Sequence, residues 1–166
     1  MFLYLMENTL PSFIEYFRQL ASEHVELKDF VHGAAGRIIA GSREALSYPL
    51  LWLETPSLTL EDKDSTMPLG QRHSAFIVLD SASSQDYADQ DAKWARTEAI
   101  ALDVLSRLRK DYNARKFTSF TLDGGVLEAV ATLTQAGEIG WRYELSLGDF
   151  VQLKYNAARW EGGAAV

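Results

Sequence analysis

Residues 86–112 read DYADQDAKWARTEAIALDVLSRLRKDY, the longest stretch of the chain with helical periodicity. The apolar residues of this stretch recur at spacings that place them on one broad face of a helix. They are Trp94, Ala95, Ala101, Leu102, Val104, Leu105, Leu108 and Tyr112. Acidic residues gather at the start of the segment and basic residues at its end, which complements the helix macrodipole. The pattern predicts a long amphipathic helix over 86–112 that packs through one face.

Three strand patterns precede this helix. Residues 48–56, YPLLWLETP, form a nearly continuous apolar run, typical of a strand that is covered on both faces. Pro49 cannot donate a ladder hydrogen bond, so we expect it at the first residue of that strand or at a sheet edge. Residues 58–61 alternate between leucine and polar side chains, which indicates a second strand. The apolar density of residues 75–79 predicts a central strand.

The last third of the chain reads as strands separated by glycine turns. The strand patterns cover residues 117–122, 126–135 and 139–150, with Asp-Gly-Gly and Ala-Gly between them. Such dipeptides between apolar runs indicate hairpins, so we predict a meander of three antiparallel strands. One face of the final strand is strongly apolar through Trp141, Tyr143, Leu145 and Leu147.

At the other end, Thr9 can cap a short helix whose apolar face consists of Phe13, Ile14, Phe17, Leu20 and Ala21. Residues 34–46 are ambiguous between a helical turn and a loop, because two glycines weaken a helix there. The elements together predict a two-layer α+β fold. Its mainly antiparallel sheet carries one long helix on one face and a shorter N-terminal helix. We expect residues 1–160 to form a single domain and residues 161–166 to be a flexible tail.

Composition excludes several functional classes. The 166 residues include no cysteine, which excludes thiol catalysis, disulfides and thiolate metal sites. The formal net charge of -7 disfavours a nucleic-acid partner. Residues 1–6 are too short for the apolar core of a secretory signal, and no stretch approaches the length of a membrane span. We therefore expect a cytoplasmic protein with neither a nucleic-acid nor a membrane partner.

The sequence offers no metal-binding spacing. The acidic run at 61–64 resembles the start of a calcium loop, but Met67 stands where that loop needs glycine, and His73 stands where it needs glutamate. The three histidines, His24, His32 and His73, are too far apart in sequence to form a helix-borne site. We expect no metal ligand in this chain.

Catalytic and cofactor motifs are also missing. The sequence has no G-x-S-x-G elbow, and the glycines of residues 33–37 lack the lysine and hydroxyl residue of a phosphate-binding loop. The basic residues of 107–116 are explained by the end of the long helix. The four tryptophans, Trp52, Trp94, Trp141 and Trp160, are expected in the core. The sequence therefore predicts no catalytic residue and no cofactor. A small partner-binding or ligand-binding domain stays an alternative, as does an enzyme whose site is assembled from distant residues.

The order of elements resembles one structural family. An N-terminal helix precedes the YPLLWLETP strand, a hydrophilic insertion and the strand RHSAFIVLD, and the long helix and strands ending in GWRYELSL follow. Over residues 9–150 this layout is similar to phage tail-terminator and tail-completion proteins and to tail-derived structural proteins of prophages. The resemblance implies a non-catalytic, virion-associated α+β subunit that assembles into a ring on a tail tube, with other tail proteins as possible partners. It supplies no catalytic residues.

Residues 1–6, MFLYLM, form an apolar N-terminal arm. One interpretation is a first strand or helix lead-in that packs on the core of its own chain. The other is an exposed arm that docks on a neighbouring subunit through Phe2, Leu3, Tyr4 and Leu5. A sheet built from hairpins leaves edges with unpaired backbone groups, and such an arm could pair with one. We therefore predict a homo-oligomer, with the chain itself as its partner.

Overall fold

A mainly antiparallel six-stranded sheet is the centre of the fold in the computed structural model, which describes residues 7–34, 46–62, 67–131 and 137–162. The elements are α1 (Leu10–Glu23), β1 (Asp29–His32), β2 (Leu50–Leu53), β3 (Ser57–Glu61), β4 (Leu69–Ser81), α2 (Tyr87–Asn113), β5 (Leu127–Ala131) and β6 (Glu138–Phe150). A 3₁₀ turn at Ala157–Arg159 follows the last strand. The predicted α+β class, with one long and one shorter helix, is confirmed.

The strands follow the order β1-β2-β4-β6-β5, and only β1 and β2 run parallel. Strand β6 pairs with β4 along all 13 residues of both strands. The other edge of β4 is shared, because β3 pairs with its first half and β2 with its second half. Strand β4 is therefore the central strand, as its apolar density predicts.

Helix α1 begins as the sequence predicts. The Thr9 hydroxyl caps the helix by accepting a hydrogen bond from the backbone N–H of Ser12, at 3.3 Å. The buried residues of α1 are Phe13, Phe17, Leu20 and Ala21, which belong to the predicted face. Ile14 is half-buried at the margin of the same cluster.

Helix α2 is capped by Asp86, whose carboxylate accepts from the backbone N–H of Asp89 at 3.0 Å. Its predicted span is confirmed, but its buried face is narrower than predicted. The buried residues are Thr97, Ile100, Ala101, Val104, Leu105, Leu108 and Asp111. Leu102 is 53% exposed, since it lies about 100° around the helix from Ala101 and so points away from the sheet.

The main core lies between the helices and one face of the sheet, called the helix-side face. Its sheet residues are Leu51, Leu53, Phe76, Val78, Tyr143, Leu145 and Leu147. A second buried cluster on the opposite, outer face contains Leu50, Trp52, Ile77 and Leu79. All four residues of β2 are buried, which confirms the prediction of a strand covered on both faces.

The predicted strand over residues 117–122 is wrong. Its only ladder contact in the structure is an isolated bridge between Ser119 and Gly148. Phe117 and Phe120 are both buried in the helix-side core. Residues three apart point to opposite faces of a strand, so burying both rings on one side requires an irregular backbone. The predicted meander is thus reduced to the antiparallel pair β5–β6.

Several predictions fall partly or wholly outside the described residues: most of the ambiguous segment 34–46, the end of the tail at 163–166, and the arm at 1–6. Strand β5 ends at Ala131, before a segment that is also outside them. Among the described helices, none combines the length and apolar character needed to cross a membrane.

Candidate functional site

The predicted subunit contacts Phe2, Leu3, Tyr4 and Leu5 lie outside the described residues. The structure does describe where the chain emerges from them, at Glu7 and Asn8. Asn8 is 8% exposed and contacts the end of the sheet at which β4 begins and β6 ends. The anchoring point of the arm is therefore defined.

Four hydrogen bonds hold Asn8. Its Nδ2 donates to the carbonyl oxygens of Gly70, at 3.0 Å, and Asp149, at 2.8 Å. Its Oδ1 accepts from Arg72 Nε at 2.8 Å, and its carbonyl oxygen accepts from Arg72 Nη2 at 3.1 Å. Since the side chain uses both its donor and its acceptor, Asn8 fixes the chain to β4 and β6 together.

Arg72 and Asp149, which both bind Asn8, are buried ionisable residues. Burial lowers the pKa of the Arg72 guanidinium. Burial raises the pKa of the Asp149 carboxyl, and the Phe150 backbone N–H, which donates to Oδ1 at 2.8 Å, only partly offsets this. Asp149 Oδ2 is buried and has no hydrogen-bond partner among the described residues. The anchor of Asn8 is therefore built from groups that burial has removed from water.

The edge of the sheet beside this anchor is formed by β3, whose free side we call the β3 edge. All five residues of β3 are exposed, and Leu60 is 49% exposed. Leu58 and Leu60 pair with Arg72 and Gly70 of β4, so they lie on the same face as Asn8. A Cβ atom at Gly70 would overlap Val151 and Asn8, and close contact with Leu58 adds to the crowding. Glycine therefore lets the arm anchor lie directly against the strand next to β3.

The outer face of the sheet carries a polar cleft of about 630 Å³. Its charged groups centre on Arg142, which donates from Nε and Nη2 to both carboxylate oxygens of Glu54, at 2.8 and 3.1 Å. Arg142 Nη1 lies 2.8 Å from Glu144 Oε1 and 3.7 Å from Glu128 Oε2. The hydrogen bond to Glu54, with a further one to Glu144, raises the pKa of Arg142. This guanidinium is occupied by carboxylates of its own chain, which leaves the cleft acidic.

One histidine lies in this cleft between two hydroxyl groups. His73 Nδ1 is 2.5 Å from Ser146 Oγ, and His73 Nε2 is 2.9 Å from Thr59 Oγ1. A serine beside a histidine is the start of a nucleophilic site, but the group behind this histidine is a hydroxyl rather than the carboxylate that would stabilise an imidazolium. The contact is a cross-strand pair, since His73 is directly opposite Ser146 in the ladder.

The other two histidines lie elsewhere. His24 contacts Asp103 at 3.2 Å, and His32 contacts Thr55 at 3.3 Å. Within the part of the chain that the structure describes, no group of three or more histidine, aspartate or glutamate side chains could hold a metal ion. The acidic run at 61–64 lies largely outside that part.

Two of the basic residues near the end of α2, Arg107 and Lys116, are engaged in an ion-pair network around the buried carboxylate of Asp111. Asp111 Oδ2 accepts from Tyr16 Oη at 2.8 Å and from Arg107 Nε at 2.9 Å, while Lys116 Nζ lies 3.0 Å from Oδ1. Burial raises the pKa of Asp111, but the bonds from Lys116, Tyr16 and Arg107 outweigh burial and hold the pKa below its usual value. Burial and the bond to Asp111 raise the pKa of Tyr16. The network joins α1 to the end of α2.

The tryptophans divide between core and surface. Trp52 is buried, and its Nε1 donates to the Gly33 carbonyl oxygen at 2.7 Å. The rings of Trp94 and Trp141 pack edge to face, with their centroids 5.5 Å apart. The core prediction for Trp160 is wrong, because this residue lies beyond the last strand and is 65% exposed. Together with Leu153 and Tyr155 it gives the segment after β6 an exposed apolar surface.

Sequence reasoning did not identify Asn8, Arg72 or the Arg142 cluster. Asn8 is separated from its hydrogen-bond partners by 62 to 141 residues of sequence, and Arg142 is separated from Glu54 by 88 residues. No local motif marks such contacts, since strand pairing alone brings the residues together. The one sign of such a long-range contact in the sequence is an arginine or aspartate at a core-facing position of a predicted strand.

No family model matches the chain, and no curated protein shows a significant match to it.

Proposed function

We propose that this protein is a non-catalytic structural assembly subunit that forms a homo-oligomeric ring, resembling phage tail-terminator and tail-completion proteins. The observation that carries the proposal is the β3 edge, an exposed strand with two partly exposed leucines. An exposed strand edge presents unpaired backbone groups that can pair with another chain. Such an edge gives the subunit a surface for contact with a second copy of the chain.

Two further properties, an exposed apolar segment and the net charge, support the same proposal. The segment after β6 exposes Leu153, Tyr155 and Trp160, which provides apolar area for a subunit contact. The net charge of -7 keeps free subunits soluble, so assembly depends on concentration and salt. Contacts between two different surfaces of each subunit generate a ring when the rotation closes.

The state of the polar cleft also favours a structural role. Arg142 is bound by three carboxylates, and His73 is held between two hydroxyl groups. Groups that satisfy one another in this way stabilise the strand pairs that carry them.

Light scattering on the intact chain tests the proposal. We expect a mass of several subunits at high protein concentration and moderate salt, and ring-shaped particles by electron microscopy. Leu60→Lys should reduce the oligomer, because a lysine on an edge strand opposes pairing with another strand. Leu102→Lys, at an exposed position of α2, is the matched control. A strictly monomeric intact chain under these conditions would remove the proposal.

The alternative of a small ligand-binding or partner-binding domain rests on one remaining property of the polar cleft. Its excess of carboxylates suits a cationic ligand, since Glu54, Glu128 and Glu144 surround a single arginine. Under this alternative the chain is monomeric or dimeric, and a polyamine raises its melting temperature in low salt. Glu144→Gln, at an exposed carboxylate, should weaken that effect.

A further inference from the structure

We propose that the N-terminal arm, residues 1–6, of one copy of the chain adds as an extra strand to the β3 edge of a second copy. This inference rests on the proposed function, because it names the segment that joins neighbouring subunits. It combines the exposed edge with the anchored position of Asn8.

The β3 edge is suited to accept a strand. Strand β3 pairs with β4 on one side, and no strand of the described residues pairs with its other side. Its five residues span about 17 Å at the usual rise per residue. An added strand would gain main-chain hydrogen bonds along this length and contact alternate side chains.

The arm matches that edge in length and chemistry. Six residues in extended conformation reach about 20 Å, slightly more than β3 spans. The arm reads MFLYLM and has no charged side chain, so each of its two faces is apolar when it forms a strand. Leu58 and Leu60 form a matching apolar row on one face of β3. Cross-strand contacts between such rows stabilise a strand pair.

The exposure of β3 favours a second copy as the acceptor. Four hydrogen bonds fix Asn8 at the end of the sheet that carries β3, so the arm starts from a fixed point. Strand β3 of the same chain is exposed along its whole length, which leaves it open to another molecule. An arm that binds the edge of the next subunit makes a head-to-tail contact. Such contacts form a ring when the rotation between neighbouring subunits closes.

Cross-linking tests the contact directly, because the chain has no cysteine of its own. A tagged Leu3→Cys chain is mixed with an untagged Leu60→Cys chain and treated with a short bis-maleimide. We expect a tagged-untagged heterodimer. The matched control replaces Leu60→Cys by Ser106→Cys, an exposed position on α2, and should give no heterodimer. A chain that carries both Leu3→Cys and Leu60→Cys would overturn the proposal if it cross-linked only within itself while the mixture gave no heterodimer.

Deletion of residues 1–6 separates this inference from the proposed function. The shortened chain keeps Asn8 and should retain its thermal unfolding transition but lose the oligomer peak in light scattering. If the shortened chain keeps the full oligomer mass, the arm proposal fails while the assembly proposal stands. If the intact chain is itself monomeric, both fail.

Discussion

Replacing Leu108 by alanine should lower the free energy of unfolding by about 2–5 kcal/mol, the range for buried leucines. The Leu108 side chain is fully buried, in the core that α2 forms with the sheet. Its removal loses the free energy that is gained by transferring this apolar surface out of water. The cavity left behind destabilises the folded state further. Denaturation by urea, followed by tryptophan fluorescence, measures the change.

Leu102→Ala is the matched control for this experiment. Both leucines lie on α2, and the sequence pattern places both on the apolar face, but Leu102 is 53% exposed. The Leu102 variant should stay within about 0.5 kcal/mol of the parent. Equal losses in the two variants would show that the observed orientation of α2 is wrong.

Asp111→Ala should lower the free energy of unfolding by roughly 2–4 kcal/mol, because it leaves Tyr16, Arg107 and Lys116 without their shared acceptor. The upper end of the range for buried ion pairs is not expected, since Arg107 and Lys116 are about one third exposed and can regain water. Urea denaturation at pH 7 checks the value. Asp103→Ala, at a largely exposed carboxylate, should cost no more than about 0.5 kcal/mol.

The effect of Asp111 should depend on pH. The folded protein holds the pKa of this carboxyl below its usual value, so the stabilisation is present at neutral pH. It is lost progressively as the pH falls from about 4, where the carboxyl of the unfolded chain takes up a proton, down through the lowered pKa of the folded state. The difference between parent and Asp111→Ala should therefore shrink in acid. A difference that stays constant from pH 7 to pH 3 would contradict the assigned role of the ionised carboxylate.

Periodicity and capping signals predicted much of this fold. Thr9 and Asp86 begin the two helices, and the apolar run before Glu54 forms a strand buried on both faces. These features depend on interactions within a few residues or on simple burial. Strand β1 is not among the predicted strands, because its parallel pairing with β2 is specified by residues outside its own four.

The predictions that failed concern residues whose structure is decided by tertiary packing rather than by the local sequence pattern. The segment 117–122 has the composition of a strand, but packing of Phe117 and Phe120 into one core decides its backbone. Leu102 and Trp160 are apolar residues that the surface accommodates. For the candidate site, the sequence indicates an apolar arm and an open edge. It does not indicate that β3 is this edge, because that follows from how β2 and β3 share one side of β4.

The long ladder between β4 and β6 has a kinetic consequence. Ser81 pairs with Glu138, and Leu69 pairs with Phe150, so the partners are 57 to 81 residues apart in sequence. Closing chain segments of this length costs entropy before the ladder contributes stability. The local pairs β3–β4 and β5–β6 join residues 8 to 16 apart, so their closure costs less entropy and they can form first. We therefore expect the docking of these two strand pairs, which α2 separates in sequence, to limit the rate of refolding. Stopped-flow fluorescence should show refolding times of milliseconds to seconds, rather than the microseconds of helical bundles.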